Sequence, residues 1–353
     1  MQQEQLFFEA LLFYKEAEAC RGWPHPEQGG ECISEDYLFR LGDRDCVWFR
    51  ATEIAELAEV LQIPDPFITH NRHRFPPIEA LGLLLSRFCG GHDLYDLVAN
   101  YDHNITAISE IINELIIWLD IWWKHLLNCD SDGILHPNQL LSYANAISAH
   151  GSPLENCIGF IDCIIRKTCC LSRAQEAAYS GYKKIHALKY QVVCLPNGIV
   201  GHLAGPYEGH RNDNYLLADS KFLDRFAEFA YHPDIGDDAP INNQNFVIFG
   251  DPAYGYGPHL ISPFADDELS DIQHTWNNQM SQVRIEVEHG FGVVTNLWLF
   301  LNSFRKMQVL LSPIGRYYHI AVLLMNASNC VSPNQISQRF DCLLPTLDKY
   351  FHN

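Results

Sequence analysis

No run of Lys and Arg in this 353-residue sequence is longer than a dipeptide such as Arg166-Lys167, and acids outnumber bases 43 to 24, for a formal charge of −19. A chain so short of cations is neither a generic basic coat for nucleic acid nor a polybasic membrane anchor. DNA chemistry is still open to it, because net charge averages over faces that differ in sign. The 12 cysteines include no CxxC pair, the closest two being the adjacent Cys169 and Cys170. Without such spacing neither a zinc site nor a disulfide framework is expected, and the thiols read as reduced and mostly buried in an intracellular protein. Long apolar runs are missing too: the most apolar stretch, Leu115 to Trp123, is broken by Asp120 and falls short of a bilayer. The segment MQQEQLFFEALLFYKEAEAC has no basic n-region and mixes Glu4, Glu9, Glu16 and Glu18 with its apolar residues. An amphipathic helix over 1–20 is expected there rather than a signal peptide.

Apolar residues make up 47% of the chain and charged residues 19%, which suffices for a sizeable core, and the length suggests two or three structural units. An irregular segment rich in Gly, Pro and acids follows at 22–46. Residues 52–61 (TEIAELAEVL) carry apolar positions at helical spacing behind a Thr52 cap. After Pro64, Pro66, Pro76 and Pro77 come three more helices, 77–89, 93–101 and 105–127, whose short turns resemble a helix-turn-helix. Between Arg87 and Lys124 there is not one Lys or Arg, so this block is better read as a packing module than as a DNA reader. Trp118, Trp122 and Trp123 within it read as core or interface.

From residue 156 the period changes. CIGFIDCIIR (157–166) is a β-rich run, and 184–195 and 199–204 flank Pro196-Asn197-Gly198, a hairpin signal. Residues 213–230 suit a helix with Asp213 near its start, then an acidic, Asn-rich loop leads to NFVIFG (245–250) and a long helix over 274–300. Strand, hairpin, helix, strand, loop and helix in that order describe a mixed α/β layer. Three acids stand out: Asp162 inside the apolar strand, Asp251 at the end of VIFGD, and Glu288 in VRIEVEHGFG. Carboxylates converging from two strands and a helix suit Mg²⁺ or Mn²⁺ and a pair of ions bracketing a phosphodiester. Taken singly each has an ordinary reading: Asp162 paired with Arg166, Asp251 as a turn residue before Pro252, Glu288 as a surface acid competing with Glu286.

The segments GFIDCIIR, YSGYKKIHALKYQVVCLPNGIVGHLAGPYEGHRNDNYLL, FGDPAYGYGPHLISPF and WNNQMSQVRIEVEHGFG, in that order, resemble a PIF/Harbinger-type DDE transposase, among the DDE superfamily endonucleases. The likeness runs over about residues 75–335. It implies an RNase H-like catalytic core, a mixed sheet flanked by helices, with an N-terminal helical domain. The expected division is 1–75 helical and irregular, 76–150 helix-turn-helix-like, 151–335 nuclease and 336–353 tail. It also implies a two-metal site of Mg²⁺ or Mn²⁺ on Asp162, Asp251 and Glu288, with Asp213 auxiliary; 36 residues separate the second acid from the third. The activity implied is cut-and-paste transposition, by hydrolysis and then strand transfer at transposon ends. Two positions depart from the family pattern: Cys163 stands where Gly is usual, and Asn212 where His is usual. A domesticated, catalytically silent scaffold is the alternative reading.

Charge is uneven along the nuclease segment. Residues 156–215 carry +3 and residues 216–275 carry −9. The first stretch, with Arg166, Lys167, Lys183, Lys184, Lys189 and Arg211, is the expected DNA-facing side. Family members typically work with a Myb-like DNA-binding partner, and the cation-free helical block agrees with delegated recognition. A homodimer acting on two DNA ends and partner-dependent nuclear entry, with some protein in the cytoplasm, complete the expectation.

Overall fold

A computed structural model describes residues 49–90, 93–101, 103–129, 131–170, 175–232, 245–265, 268–308 and 312–352, without the side chains of Glu286 and of 288–291. The helix expected at 1–20, the segment at 22–46 and most of the acidic loop before Asn245 lie outside the described residues. In chain order the helices α1 (Ala51–Val60), α2 (Pro77–Cys89), α3 (Leu94–Tyr101), α4 (Ile105–Trp123) and α5 (Pro137–Ala149) come first, with a small hairpin β1 (Phe67–Ile68) and β2 (Arg74–Phe75) between α1 and α2. The strands β3 (Cys157–Lys167), β4 (Tyr179–Ser180), β5 (Ile185–Cys194) and β6 (Val200–Glu208) follow. Then come α6 (Asp213–Ser220), α7 (Phe222–Phe226), β7 (Val247–Phe249), β8 (Leu260–Ile261), the long α8 (Asp271–Leu297), α9 (Ile314–Val331), α10 (Gln335–Arg339) and α11 (Leu347–Phe351).

Two compact units interleave along this path. The first gathers the described residues up to Lys124 with Lys167–Ala187 and Val294–Ser328; the second gathers His125–Arg166, Leu188–Val293 and the residues from Asn329 onward. In the first unit α4 is apolar around most of its circumference, so Ile108, Ile111, Ile112, Leu115, Ile116 and Leu119 are all buried. Asn104 caps it, accepting from the Ala107 amide at 2.8 Å. The helix ends at Trp123 and tightens into a 3-10 turn, Lys124–Leu127, rather than continuing regularly to 127. The expected Thr52 cap is not found. The helix α1 begins one residue earlier, behind Arg50, whose own amide donates to the Glu53 carboxylate at 2.6 Å. Of the three tryptophans, Trp118 and Trp123 are core and Trp122 is 61% exposed. One charge sits deep in this unit: Asp120 of α4 meets Arg316 Nε at 3.2 Å and His319 Nδ1 at 2.8 Å, both from α9.

The second unit is built on the sheet. The strands lie in the order β6-β5-β3-β7-β8; β4, which with the first residues of β5 falls in the first unit, pairs with the start of β5 as a hairpin. The pairs β5–β6 and β4–β5 are antiparallel, whereas β3–β7 and β7–β8 are parallel. This is the mixed sheet flanked by helices that the sequence leads one to expect. Its centre is β3, whose residues from Cys157 to Ile161 are all buried, as a strand covered on both faces requires. Gly159 is needed there, because a Cβ would stand 2.7 Å from the Cys194 carbonyl oxygen on β5. The β5–β6 turn carries Gly198 at φ 79, fulfilling the Asn-Gly signal. The single helix expected over 213–230 is instead two, broken where Lys221 adopts φ 51, a left-handed conformation that stops an α-helix.

His202 on β6 is fully buried against the Phe222 ring of α7, at 4.6 Å between centroids, and neither ring nitrogen has a hydrogen-bond partner. Burial, helped by the Arg225 charge, pushes its pKa down to about 3. The unfolded chain therefore takes up a proton that the native state refuses. Stability is expected to fall as pH drops from about 6.5 toward about 3, by about 1.4 kcal/mol per pH unit. Urea melts across that window check it: His202→Leu flattens the slope, and an unchanged slope contradicts the assignment.

Candidate functional site

Two acids stand on adjacent parallel strands, Asp162 midway along β3 and Asp251 just beyond the end of β7. The register of β3 and β7 places Phe160 opposite Phe249. Asp162 follows Phe160 two residues on within β3, and Asp251 follows Phe249 two residues on beyond the end of β7, on the carboxyl side of the sheet where open α/β sheets present their ligands. The burial of β3 ends at Ile161, and the Asp162 side chain is 30% exposed. The cost of a charge in an apolar strand is thereby avoided by placing it where the strand emerges. Asp162 Oδ1 accepts from the Cys163 amide at 2.7 Å, and Arg284 Nη2 lies 3.7 Å from Oδ2.

Asp251 caps the 3-10 turn Pro252–Tyr254, accepting from the Ala253 amide at 2.8 Å. That turn folds Tyr254 back over the strand end. Gly250 permits it, since a Cβ would come within 2.7 Å of the Tyr254 ring and 3.0 Å of Ile161. The Tyr254 hydroxyl lies 3.1 Å from Cys163 Sγ. Burial first, then the nearby Asp213 carboxylate, pushes the Cys163 thiol well above its ordinary range. Burial likewise pushes Tyr254 up, reinforced by Cys163, Asp213 and Asp162. Both groups therefore stay protonated at neutral pH. Cys163 is thus a thiol rather than a thiolate nucleophile at neutral pH.

Asp213 opens α6 behind Asn212, which serves as the N-cap by accepting from the Tyr215 amide at 2.8 Å. Its partner is Lys189 of β5, whose ammonium stands 2.5 Å from Asp213 Oδ1 and 2.9 Å from the Arg211 carbonyl oxygen. Lys189 is only 8% exposed. Replacing Lys189 by Met strands Asp213 beside a buried neighbour and is expected to cost about 2–3 kcal/mol. Adding Asp213→Asn recovers part of that loss, which a urea-melt double-mutant cycle measures directly. Strict additivity of the two changes contradicts the pairing.

The third candidate acid, Glu288, lies within α8, four residues and about one turn beyond Arg284. Its side chain is outside the described residues. Met280, Val283, Val287 and Val294 bury one stripe of the same helix. Among the described residues no three His, Cys, Asp or Glu side chains group closely enough to hold a metal ion. The chemistry of the donors present still fits a hard divalent cation. Carboxylate oxygens are the hard anionic donors that the two acids bring to this sheet edge.

The basic residues picked out in the sequence fall in different surroundings. Lys167, Lys183 and Lys184 belong to the first unit and are exposed; the Lys167 ammonium lies over the Phe304 ring at 3.8 Å. Arg166, Lys189 and Arg211 belong to the second. Arg166 is half-buried, and Arg211 bonds Glu208 at 3.1 Å while stacking over Tyr215. Reading the sequence alone missed Tyr254 and Arg284. Tyr254 stands in the same GDPAY motif as Asp251, and Arg284 stands one turn before Glu288, so both signals were local to acids already chosen.

No curated protein and no solved structure matches the chain significantly. The family model of the DDE superfamily endonucleases matches residues 139–326. That span holds β3, the β5–β6 hairpin, β7 and α8, and with them all four candidate acids. It covers more than half of the 353 residues, and on that match the chain belongs to the DDE superfamily endonuclease family.

Proposed function

We propose that this endonuclease is a PIF/Harbinger-type transposase that cuts DNA at transposon ends and joins them to a target, using Asp162, Asp251 and Glu288. The observation that supports the reading is the parallel β3–β7 pairing, with Asp162 within β3 and Asp251 just beyond the end of β7. These acids, with Glu288 from α8, would hold two Mg²⁺ or Mn²⁺ ions. Bound there, the cations supply Lewis-acid stabilisation of the charge that develops on a phosphodiester.

The remaining work falls to the chain itself. Asp162 stays reachable because its strand emerges from the core at that residue. Arg284, at 3.7 Å, balances its charge when no substrate is present. Lys189 fixes Asp213 at the head of α6, making it an auxiliary anion of set position rather than a mobile one. Tyr254 and Cys163, both neutral, close the strand end without adding negative charge near the phosphate. In the hydrolytic step a water oxygen bonds to phosphorus and the 3′ oxygen leaves. In strand transfer that 3′-OH attacks a target phosphodiester, so one P–O bond forms as another breaks and no covalent enzyme intermediate arises.

Exposed Lys167, Lys183 and Lys184 are the side chains best placed to contact the DNA backbone; Lys189 is committed to Asp213. End recognition belongs to a Myb-like partner, two copies of the chain serve two DNA ends, and the complex works in the nucleus. The test is a cleavage assay on duplexes bearing the element's own termini, with and without that partner. Nicking is expected only with Mg²⁺ or Mn²⁺ present and is expected to become end-specific with the partner. Cleavage that persists in EDTA refutes the metal-dependent reading. Tight, specific end binding by the isolated chain at physiological salt refutes the delegated one.

A further inference from the structure

Three segments of the first unit bond side by side: the tip of the β4–β5 hairpin, residues 167–170, and the 3-10 turn Phe304–Lys306. The Thr168 amide donates to the His186 carbonyl oxygen at 2.9 Å, and the Cys169 amide donates to the Met307 carbonyl oxygen at 3.0 Å. At the hairpin tip the Lys184 amide donates to the Ser180 carbonyl oxygen at 2.7 Å, with Lys184 at φ 55 closing the turn. Tyr182 stands inside that closed turn and is 86% exposed. Gly, Asn, Asp and Ser are the usual residues of such turns, and a tyrosine held out in water forgoes the burial its ring could gain. The Lys183 ammonium lies over the Tyr182 ring at 4.9 Å, which sets a cation on the ring face. The pairing recurs on the neighbouring turn, where the Lys167 ammonium lies 3.8 Å over Phe304 and the Arg305 guanidinium 5.9 Å from the same ring. Lys167, Lys183, Lys184 and Arg305 are all exposed. Glu176 is the single acid in the sequence from 167 to 187, and 294–328 contains none.

We propose that Tyr182 is a base-stacking residue and that the hairpin tip takes an unpaired DNA base, with Lys183 and Lys184 on the flanking phosphates. An exposed ring bordered by cations suits single-stranded nucleic acid, because every base has a π-face and the lysines neutralise the backbone without reading sequence. A base inside a duplex already has both faces stacked, so the ring gains nothing from it unless the base is extruded. The tip therefore favours single-stranded segments of the kind that cleavage exposes. Stacking of this sort tolerates any sequence, which agrees with end recognition by a partner. The inference rests on the reading of this chain as an enzyme that cuts DNA, and it names the form of DNA that the hairpin holds.

The experiment titrates a fluorescein-labelled single strand of about 15 nucleotides, and separately its duplex, with the full-length protein and follows anisotropy from about 50 to about 200 mM salt. Tyr182→Ala is expected to weaken single-strand binding about tenfold and duplex binding less than about twofold. Tyr182→Phe keeps the ring and is expected to bind both forms as wild type does. A doublet, Lys183→Gln with Lys184→Asn, is expected to weaken both forms and to lower the salt slope by about two. Asn suits the left-handed backbone at position 184. No loss on the single strand in Tyr182→Ala, or an equal loss on both forms, overturns the stacking role. If the lysine doublet still weakens both forms in that case, the DNA-facing reading stands without it. No binding of either form by wild-type protein across the salt range overturns the DNA-facing reading and the stacking role together.

Discussion

Changing Asp162 to Asn is expected to lower divalent-metal-dependent DNA cleavage about a thousandfold or more, with the fold intact. The substitution is nearly isosteric. An Asn oxygen still accepts from the Cys163 amide, as Asp162 Oδ1 does at 2.7 Å. Arg284 loses only a 3.7 Å contact with a partly exposed carboxylate, so melting shifts little. What disappears is one of the charges that bind a hard cation. Asp251→Asn is expected to match it, because the amide can keep the cap on Ala253 while removing the neighbouring charge. Glu288→Gln completes the set. Groups that act as a unit lose function non-additively, so the triple variant is expected to be little worse than any single one. Single-turnover nicking of a labelled duplex in Mg²⁺ measures all four. Cleavage retained within tenfold in the triple variant would eliminate the assignment.

Asp120→Ala is expected to be the most damaging substitution for stability, at about 3–5 kcal/mol. The carboxylate is 4% exposed and is shared by Arg316 and His319, themselves 8% and 2% exposed. Burial already lowers the Arg316 pKa to about 10. Removing the acid takes away the anion that the Arg316 guanidinium and the His319 ring both face, in a setting where neither can turn to water. In a chain of this size the loss corresponds to a fall in melting temperature of roughly 10 °C. Asp120→Asn, which keeps an acceptor but no charge, is expected to fall between wild type and Ala. Thermal and urea melts decide it; a loss under about 1 kcal/mol would mean the cluster is not a structural anchor.

How far the sequence could be read follows from what each signal encodes. The pattern PIEALGLLLSRFC has helical period and a proline at its first position, and the helix over Pro77–Cys89 forms as expected. Asn197-Gly198 states a turn in its own backbone preference and delivers it. Asp162 and Asp251 were legible because each interrupts or ends an apolar run, which is a one-dimensional signal. Their alignment was not legible, since register is a property of two strands. Lys189 shows the limit most clearly: counted as a cation it belonged with the DNA contacts, but its chain position on a buried strand opposite Asp213 gives it another task. The break at Lys221 was hidden for a similar reason. No proline or glycine announces it, and only the backbone φ of 51° reveals it.

The central claim, that Asp162, Asp251 and Glu288 form one divalent-cation site, is tested most directly by a Mn²⁺ titration followed by electron paramagnetic resonance. Wild-type protein is expected to take up Mn²⁺ saturably, and Asp162→Asn and Asp251→Asn are each expected to weaken that uptake at least tenfold, because each removes one proposed carboxylate ligand. Equal Mn²⁺ affinity in wild type and both variants would contradict the claim.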